Sequence, residues 1–315
     1  MSNVTLYMGT KCNLSCAYCH REGNPNEVVD TDRVIKALKK EKPERIKFMG
    51  GEPTLYMAAI KEIVAAFPGT DFCISTNGVD LEKYLDYFRK HDFMIALSYD
   101  GTDDDLRGFD PFKKVIDYPN LGVSCTVYHG NTDFAAMMEK FREKEKIVGH
   151  HLSFYPHIMH VTNPLNKRFA LTDDDIESII GQYKKYVGLY MERTKRFGVK
   201  DLRYQGMFNG LRQRYEAHYE YGETYCSNKT LHKYDGKGDM YPCLYIRKDK
   251  LSERCLEQQK VMLDKLPGCR TCSVYDMCGG GCMMSHEFSN ECRIHKAVYS
   301  WFKEEYPKYE GYIQS

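Results

Sequence analysis

The sequence predicts an α/β fold: a partial (β/α)6 TIM-like barrel followed by a small cysteine-rich C-terminal domain. Three observations lead there. The first half alternates short apolar runs with stretches of helical periodicity. Loops rich in Cys, Gly, Ser and Asn recur where successive strands would end. Past residue 225 cysteines crowd in and the periodicity fades.

Taken in order, a strand over 4–8 runs into a cysteine loop and a helix over 30–40 follows. A strand over 45–49 is stopped by Gly50-Gly51, and a helix over 55–67 returns. The third strand, 72–75, closes at Thr76-Asn77-Gly78 ahead of a helix over 81–90. Strands over 93–98, 122–128 and 151–155 complete six, with a helix over 133–144 before the last. Strands alternating with helices make a parallel sheet with helices outside, and its sites belong at the carboxyl ends of the strands. A long charged helix over 173–195 follows Thr172, its N-cap, and an amphipathic helix over 293–305 closes the chain. The expected division is a barrel over 1–160, a helical bridge over 161–224, a cysteine-rich domain over 225–292 and a terminal helix over 293–315.

The 315 residues hold 45 Lys and Arg against 44 Asp and Glu, so no basic excess points to nucleic acid as a partner. No signal architecture or long apolar stretch is seen, and a cytoplasmic protein with no membrane partner is expected. In a reducing compartment disulfides are rare, so the 13 cysteines read as metal ligands or redox groups.

Cys12, Cys16 and Cys19 fall within eight residues, directly after the first strand. Three thiolates on one compact loop can grip three corners of a cubane cluster and leave the fourth iron open. Zinc sites more often pair cysteines in two separated knuckles and close four-fold. The pattern CxxxCxxC, with Tyr18 before the last cysteine, resembles the signature of the radical S-adenosylmethionine (SAM) superfamily. That resemblance implies a 4Fe–4S cluster whose open iron chelates SAM, and an electron that cleaves the sulfonium to give a 5′-deoxyadenosyl radical. An external electron donor such as flavodoxin or ferredoxin is implied with it.

Gly50-Gly51-Glu52-Pro53 after the second strand resembles the same family's GGEP element, which holds the SAM amino group. Ser75-Thr76-Asn77-Gly78 and Ser98-Tyr99-Asp100-Gly101 resemble two further family elements. By resemblance Tyr18, Gly50, Gly51, Glu52, Ser75, Asn77 and Ser98 are the cofactor contacts, and Asp100 is structural. No catalytic acid or base is assigned.

Seven later cysteines form a second pattern: Cys226, then Gly238 and Cys243, then Cys269-x2-Cys272-x5-Cys278-x3-Cys282, and Cys292. It resembles the SPASM extension of radical SAM enzymes, which houses two auxiliary 4Fe–4S clusters and brings the expected total to three. The resemblance assigns Cys226, Cys243 and Cys282 to one auxiliary cluster and Cys269, Cys272, Cys278 and Cys292 to the other. The fourth ligand of the first stands open between His232, Cys255 and a vacant iron. Cys73 and Cys125 fall in strands, where a cysteine is a small buried hydrophobe. His150, His151, His157 and His160 surround the sixth strand and read as packing or surface residues.

SPASM enzymes mostly modify peptides or proteins, so the resemblance implies a peptide or protein substrate that is crosslinked, oxidised or otherwise changed. The same chemistry on a small molecule, amino acid or nucleotide base is the alternative. Leu244 follows Cys243 where the sulfatase-maturing branch carries an acid, and leucine cannot take a proton. The chain starts almost at its first strand, so a leader-binding domain ahead of the barrel is not expected, and a peptide would need direct recognition or a separate recognition protein. A non-enzymatic iron–sulfur or zinc protein would leave the GGEP-like and STNG loops unexplained.

Overall fold

The computed structural model describes residues 3–19, 27–102, 106–113, 117–161, 164–224, 231–240, 266–282, 285 and 291–313. Among these, β1 (Asn3–Tyr7), β2 (Arg45–Met49), β3 (Asp71–Thr76), β4 (Met94–Ser98), β5 (Leu121–Val127), β6 (Pro156–Ile158) and β7 (Leu231–Asp235) form one sheet. Its order is β6-β5-β4-β3-β2-β1-β7, and every pair is parallel. Parallel strands need crossovers, supplied here by α1 (Thr31–Glu41), α2 (Met57–Ala66), α3 (Leu85–Lys90) and α4 (Phe134–Val148).

Register and strand alternation sort the side chains into two faces. Leu6, Phe48, Ile74, Ile95 and Leu121 lie in one register row and are all buried, with Val34, Leu38, Ile60, Ile63 and Phe88 of the helices in the same core. Each such side chain contributes about 1.5–3 kcal/mol by leaving water. The opposite row runs through Ser75, Ala96 and Gly122, and through Ser98 and Ser124 one step on. This inner face is half-buried and polar, fit to line a cleft rather than to pack against a layer.

The predicted (β/α)6 order is present, with two differences. The sixth strand is Pro156–Ile158, not 151–155. Leu152 and Phe154 are buried, and α6 (Leu202–Ala217) presses against this run: a Cβ on Gly206 would meet the Phe154 carbonyl at 2.4 Å. The run is therefore committed to a helix, and pairing with β5 starts only at Pro156, on the sheet edge where a missing N–H costs least. Second, β7 comes from beyond residue 225, the segment expected to open the cysteine-rich domain, yet it pairs with β1 from Asn3↔Leu231 to Tyr7↔Asp235. Its His232 and Tyr234 both bond the Glu41 carboxylate at the end of α1. The boundary at 225 thus cuts through the barrel's own sheet.

The long helix α5 (Asp173–Phe197) begins at a capping box between Thr172 and Asp175. It packs with α6 and α7 (Glu291–Glu305) through stacked rings such as Tyr190 on Phe208, 4.5 Å between centroids. No helix among the described residues is long and apolar enough to cross a membrane.

Candidate active site

The cysteine loop leaves β1 and is stitched at once to the loop after β2. Gly51 N–H donates to the Gly9 carbonyl and Glu52 N–H to that of Lys11, both at 2.8 Å. This approach requires glycine: a Cβ on Gly51 would sit 2.3 Å from the Lys11 oxygen, and one on Gly50, at φ +148°, 2.6 Å from the Gly9 oxygen. The Cys12 sulfur accepts from Leu14 N–H at 3.4 Å and from Asn77 Nδ2 at 3.7 Å. Burial raises the Cys16 thiol; Arg107 pulls it back, and the neighbouring Cys19 and Cys12 push it up again. The three thiols thus lie within electrostatic reach of one another on one loop. Three thiols on one loop suit a thiolate-held iron cluster by their chemistry, although among the described residues no three Cys, His, Asp or Glu are gathered closely enough to hold a metal ion.

Glu52 is fully buried, and its carboxylate is occupied by the protein. Oε1 accepts from Thr54 N–H (3.0 Å), Thr54 Oγ1 (2.6 Å) and Thr76 Oγ1 (2.8 Å); Oε2 accepts from Asn77 N–H (2.7 Å). A carboxylate has about four acceptor positions, so this one fastens the loops after β2 and β3 together. Asn77 is engaged too, donating to Asn13 Oδ1 at 2.8 Å and accepting from Val79 N–H at 3.0 Å. Ser75 and Ser98 differ: both are half-buried on the inner face, and among the described residues neither hydroxyl takes a protein partner.

Tyr18 turns inward. Its ring packs 5.0 Å from Tyr128 and 6.3 Å from Phe169, and its hydroxyl donates to Asp100 at 2.5 Å. Asp100 is buried and paired bidentately with Arg107 at 2.8 Å and 2.8 Å. Burial first, then the Asp100 charge, hold the Tyr18 phenol far above its ordinary range. Sequence reasoning left Arg107 out. Its signal was available: a carboxylate buried at a strand end calls for a cation, and Arg107 is the first one after Asp100.

Further along the chain, a cavity of about 250 Å³ has Cys269, Cys272, Cys278, Cys282 and Cys292 in its wall. Burial pushes the Cys278 thiol up to about 12; Arg214 opposes this, while Cys292, Cys269 and Cys272 add to it. Those four thiols, one of the two sets that the resemblance implied, lie within electrostatic reach of one another. Gly279, Gly280 and Gly281 carry φ of +56°, +78° and +64°, a left-handed run that lets the chain turn from Cys278 to Cys282 around the opening. Thiols in such a lining are chemically suited to ligate an iron–sulfur group. Cys226, Cys243 and Cys255 lie outside the described residues. His232, a possible fourth ligand by sequence, is bound to Glu41.

The remaining expectations sort quickly. Cys73 and Cys125 are buried in strands at 5% and 0% exposure. His150 bonds the Leu121 carbonyl, His151 Glu145, and His160 Glu291. His157 is held near pKa 4, by burial first and then by Lys47, His160 and Arg214.

The frame is an open, all-parallel sheet with three cysteines on the loop at the carboxyl end of its first strand. More narrowly, the family model described as the radical SAM superfamily matches residues 6–121. Such a domain holds a 4Fe–4S cluster and uses SAM. Among curated proteins, a probable GTP 3′,8-cyclase of Archaeoglobus fulgidus is 34% identical over 96 residues, 29% of this chain and 32% of that protein. The GTP 3′,8-cyclase of Chlorobaculum tepidum is 38% identical over 91 residues, 26% of this chain and 28% of that protein. The chain thus spans about a third of the length of the curated relatives it matches. Among solved structures, Streptococcus suis SuiB superposes with a TM-score of 0.56 at 16% identity, covering 90% of this chain and 73% of SuiB. SuiB bound to its precursor peptide SuiA gives 0.55 at 16% identity over 90% of this chain and 72% of that one. At this identity the likeness establishes the fold.

Proposed function

We propose that the chain is a radical SAM enzyme with two auxiliary clusters that modifies a peptide or protein substrate. The observation that carries this reading is the five-cysteine cavity downstream of the radical SAM domain. When bound, the cofactors supply one-electron cleavage of SAM to a 5′-deoxyadenosyl radical, and an acceptor for the electron that a substrate radical must lose. Cys12, Cys16 and Cys19 hold the cluster that meets SAM. Cys269, Cys272, Cys278 and Cys292 hold one auxiliary cluster, with Cys226, Cys243 and Cys282 on the other. Around SAM, Gly50 and Gly51 present backbone at close range, and Ser75 and Ser98 offer their hydroxyls. Glu52 and Asn77 fix the loops that carry them, and Tyr18 seats the cysteine loop. The SuiB-like fold, solved with a precursor peptide bound to SuiB, supports the peptide substrate.

A second reading, a nucleotide substrate, is favoured by the similarity of the barrel segment to GTP 3′,8-cyclases. Anaerobic reconstitution is expected to give about twelve irons per chain. Dithionite and SAM should then yield 5′-deoxyadenosine, and Cys16→Ala should abolish it. Adding a short peptide encoded beside the gene should raise that yield and change the peptide's mass. Consumption of GTP without any peptide change would establish the second reading instead.

A further inference from the structure

The cavity walled by cysteines carries one imidazole that none of the assignments above uses. His295 lies one helical turn after Cys292 on α7, so the two side chains share a face, and both line the cavity. Its Nδ1 is 3.6 Å from Cys278 Sγ, within the longer reach of a hydrogen bond to sulfur. The glycine run leaves room for this pair: a Cβ on Gly281, at φ +64°, would touch both atoms, Nδ1 at 3.6 Å and Sγ at 3.7 Å. The imidazole also lies flat on the Tyr299 ring, with centroids 5.1 Å apart and planes 9° from parallel. Tyr299 is itself buried, so the stack sets the plane in which His295 meets the sulfur.

A thiolate that binds iron has no proton to give, so at this contact the sulfur accepts and Nδ1–H donates. A hydrogen bond to a cluster sulfur stabilises the reduced form more than the oxidised one, because the reduced form carries the larger negative charge. We propose that His295 is a positioning residue for the cluster on Cys269, Cys272, Cys278 and Cys292: its Nδ1–H holds the Cys278 sulfur and raises the cluster's reduction potential. The cluster then takes up the electron of a substrate radical more readily. The inference deepens the function proposed above and rests on reading those four cysteines as ligands.

The test is an EPR-monitored redox titration of the reconstituted full chain, following the reduced-cluster signal that disappears in Cys278→Ser. His295→Phe keeps a ring for Tyr299 and removes the donor, so its midpoint should move to more negative potential at unchanged iron content. His295→Asn, whose Nδ2 can stand where Nδ1 does, should stay near the unmodified protein. An unshifted midpoint in His295→Phe, or an equal shift in His295→Asn, overturns the proposal. Should His295→Phe fail to hold iron, pulsed EPR of the unmodified chain carrying isotopically labelled histidine decides: the same signal should show a weak nitrogen coupling that is missing in His295→Asn. No coupling, a coupling as strong as that of a directly bound imidazole, or loss of iron from His295→Asn as well overturns the donor role. The absence of any signal sensitive to Cys278→Ser would instead remove the ligand reading itself, a result distinct from an unmoved midpoint.

Discussion

The backbone N–H of Asn77 ends on the Glu52 carboxylate at 2.7 Å, so the loop after β3 hangs from the loop after β2. Glu52 in turn is joined through its own N–H to Lys11 in the cysteine loop. One buried acid therefore sets the mutual position of three strand-end loops. Its place in a GGEP-like run suggested a contact to the cofactor's ammonium group. In the structure its carboxylate also accepts from Thr54, Thr76 and Asn77.

Glu52→Gln should accordingly destabilise the fold and not only weaken cofactor binding. The amide nitrogen would face at least one of the donors from Thr54, Thr76 or Asn77, and a buried donor without an acceptor costs about 1–3 kcal/mol. Urea unfolding of the reconstituted protein should show a loss of that order, with a larger one for Glu52→Ala. A stability equal to that of the unmodified protein would contradict the hub role.

Gly51→Ala tests the close approach. The added methyl would lie 2.3 Å from the Lys11 carbonyl oxygen, a backbone atom that can retreat only by moving the cysteine loop. The core row through Leu6 and Phe48 does not touch this contact, so helix content should persist by circular dichroism while iron falls by about four per chain. Full iron content would show that the loop has slack the structure does not suggest.

How much of this was legible in the sequence follows from what each feature depends on. The strands β1 to β5 were readable because their apolar alternation is local and their loops carry turn residues. Thr172 was readable as a cap because a capping box is complete within four residues. The sixth strand was misplaced because residues 151–155 are apolar for a different reason, the approach of α6 more than fifty residues later. β7 was hidden because its polar residues His232 and Tyr234 serve a carboxylate on α1, a pairing that spacing cannot reveal. Likewise the cysteine spacings pointed to ligands, but the commitment of Glu52 to Thr54, Thr76 and Asn77 required the fold.

Two cysteine substitutions separate ligand from core. Cys278 lines the cavity, and its thiol is pushed up by burial and by its neighbours, a cost that metal ligation removes by making the thiolate the bound form. Cys278→Ser should lower bound iron by about four per chain. Cys73, buried on β3 with no cysteine neighbour among the described residues, should behave as a small apolar residue: Cys73→Ala leaves iron unchanged and costs about 1 kcal/mol. Iron analysis and unfolding of both variants read the two effects independently.

The Glu41 contacts make a last expectation about where the chain opens first. β7 is an edge strand held by β1 on one side and by Glu41 through His232 and Tyr234. Burial raises the Glu41 carboxyl, but the Tyr234 and His232 hydrogen bonds outweigh it and hold the group below its ordinary range, so the ionised acid is the form that grips. Glu41→Ala removes the grip and leaves the β1 ladder intact. Amide exchange over 231–235 should then quicken about tenfold, equivalent to about 1.4 kcal/mol of local opening, while the buried rows of β2 and β3 stay protected. Exchange rising equally across β1 to β4 would mean instead that β7 does not open by itself and that its release loosens the whole sheet.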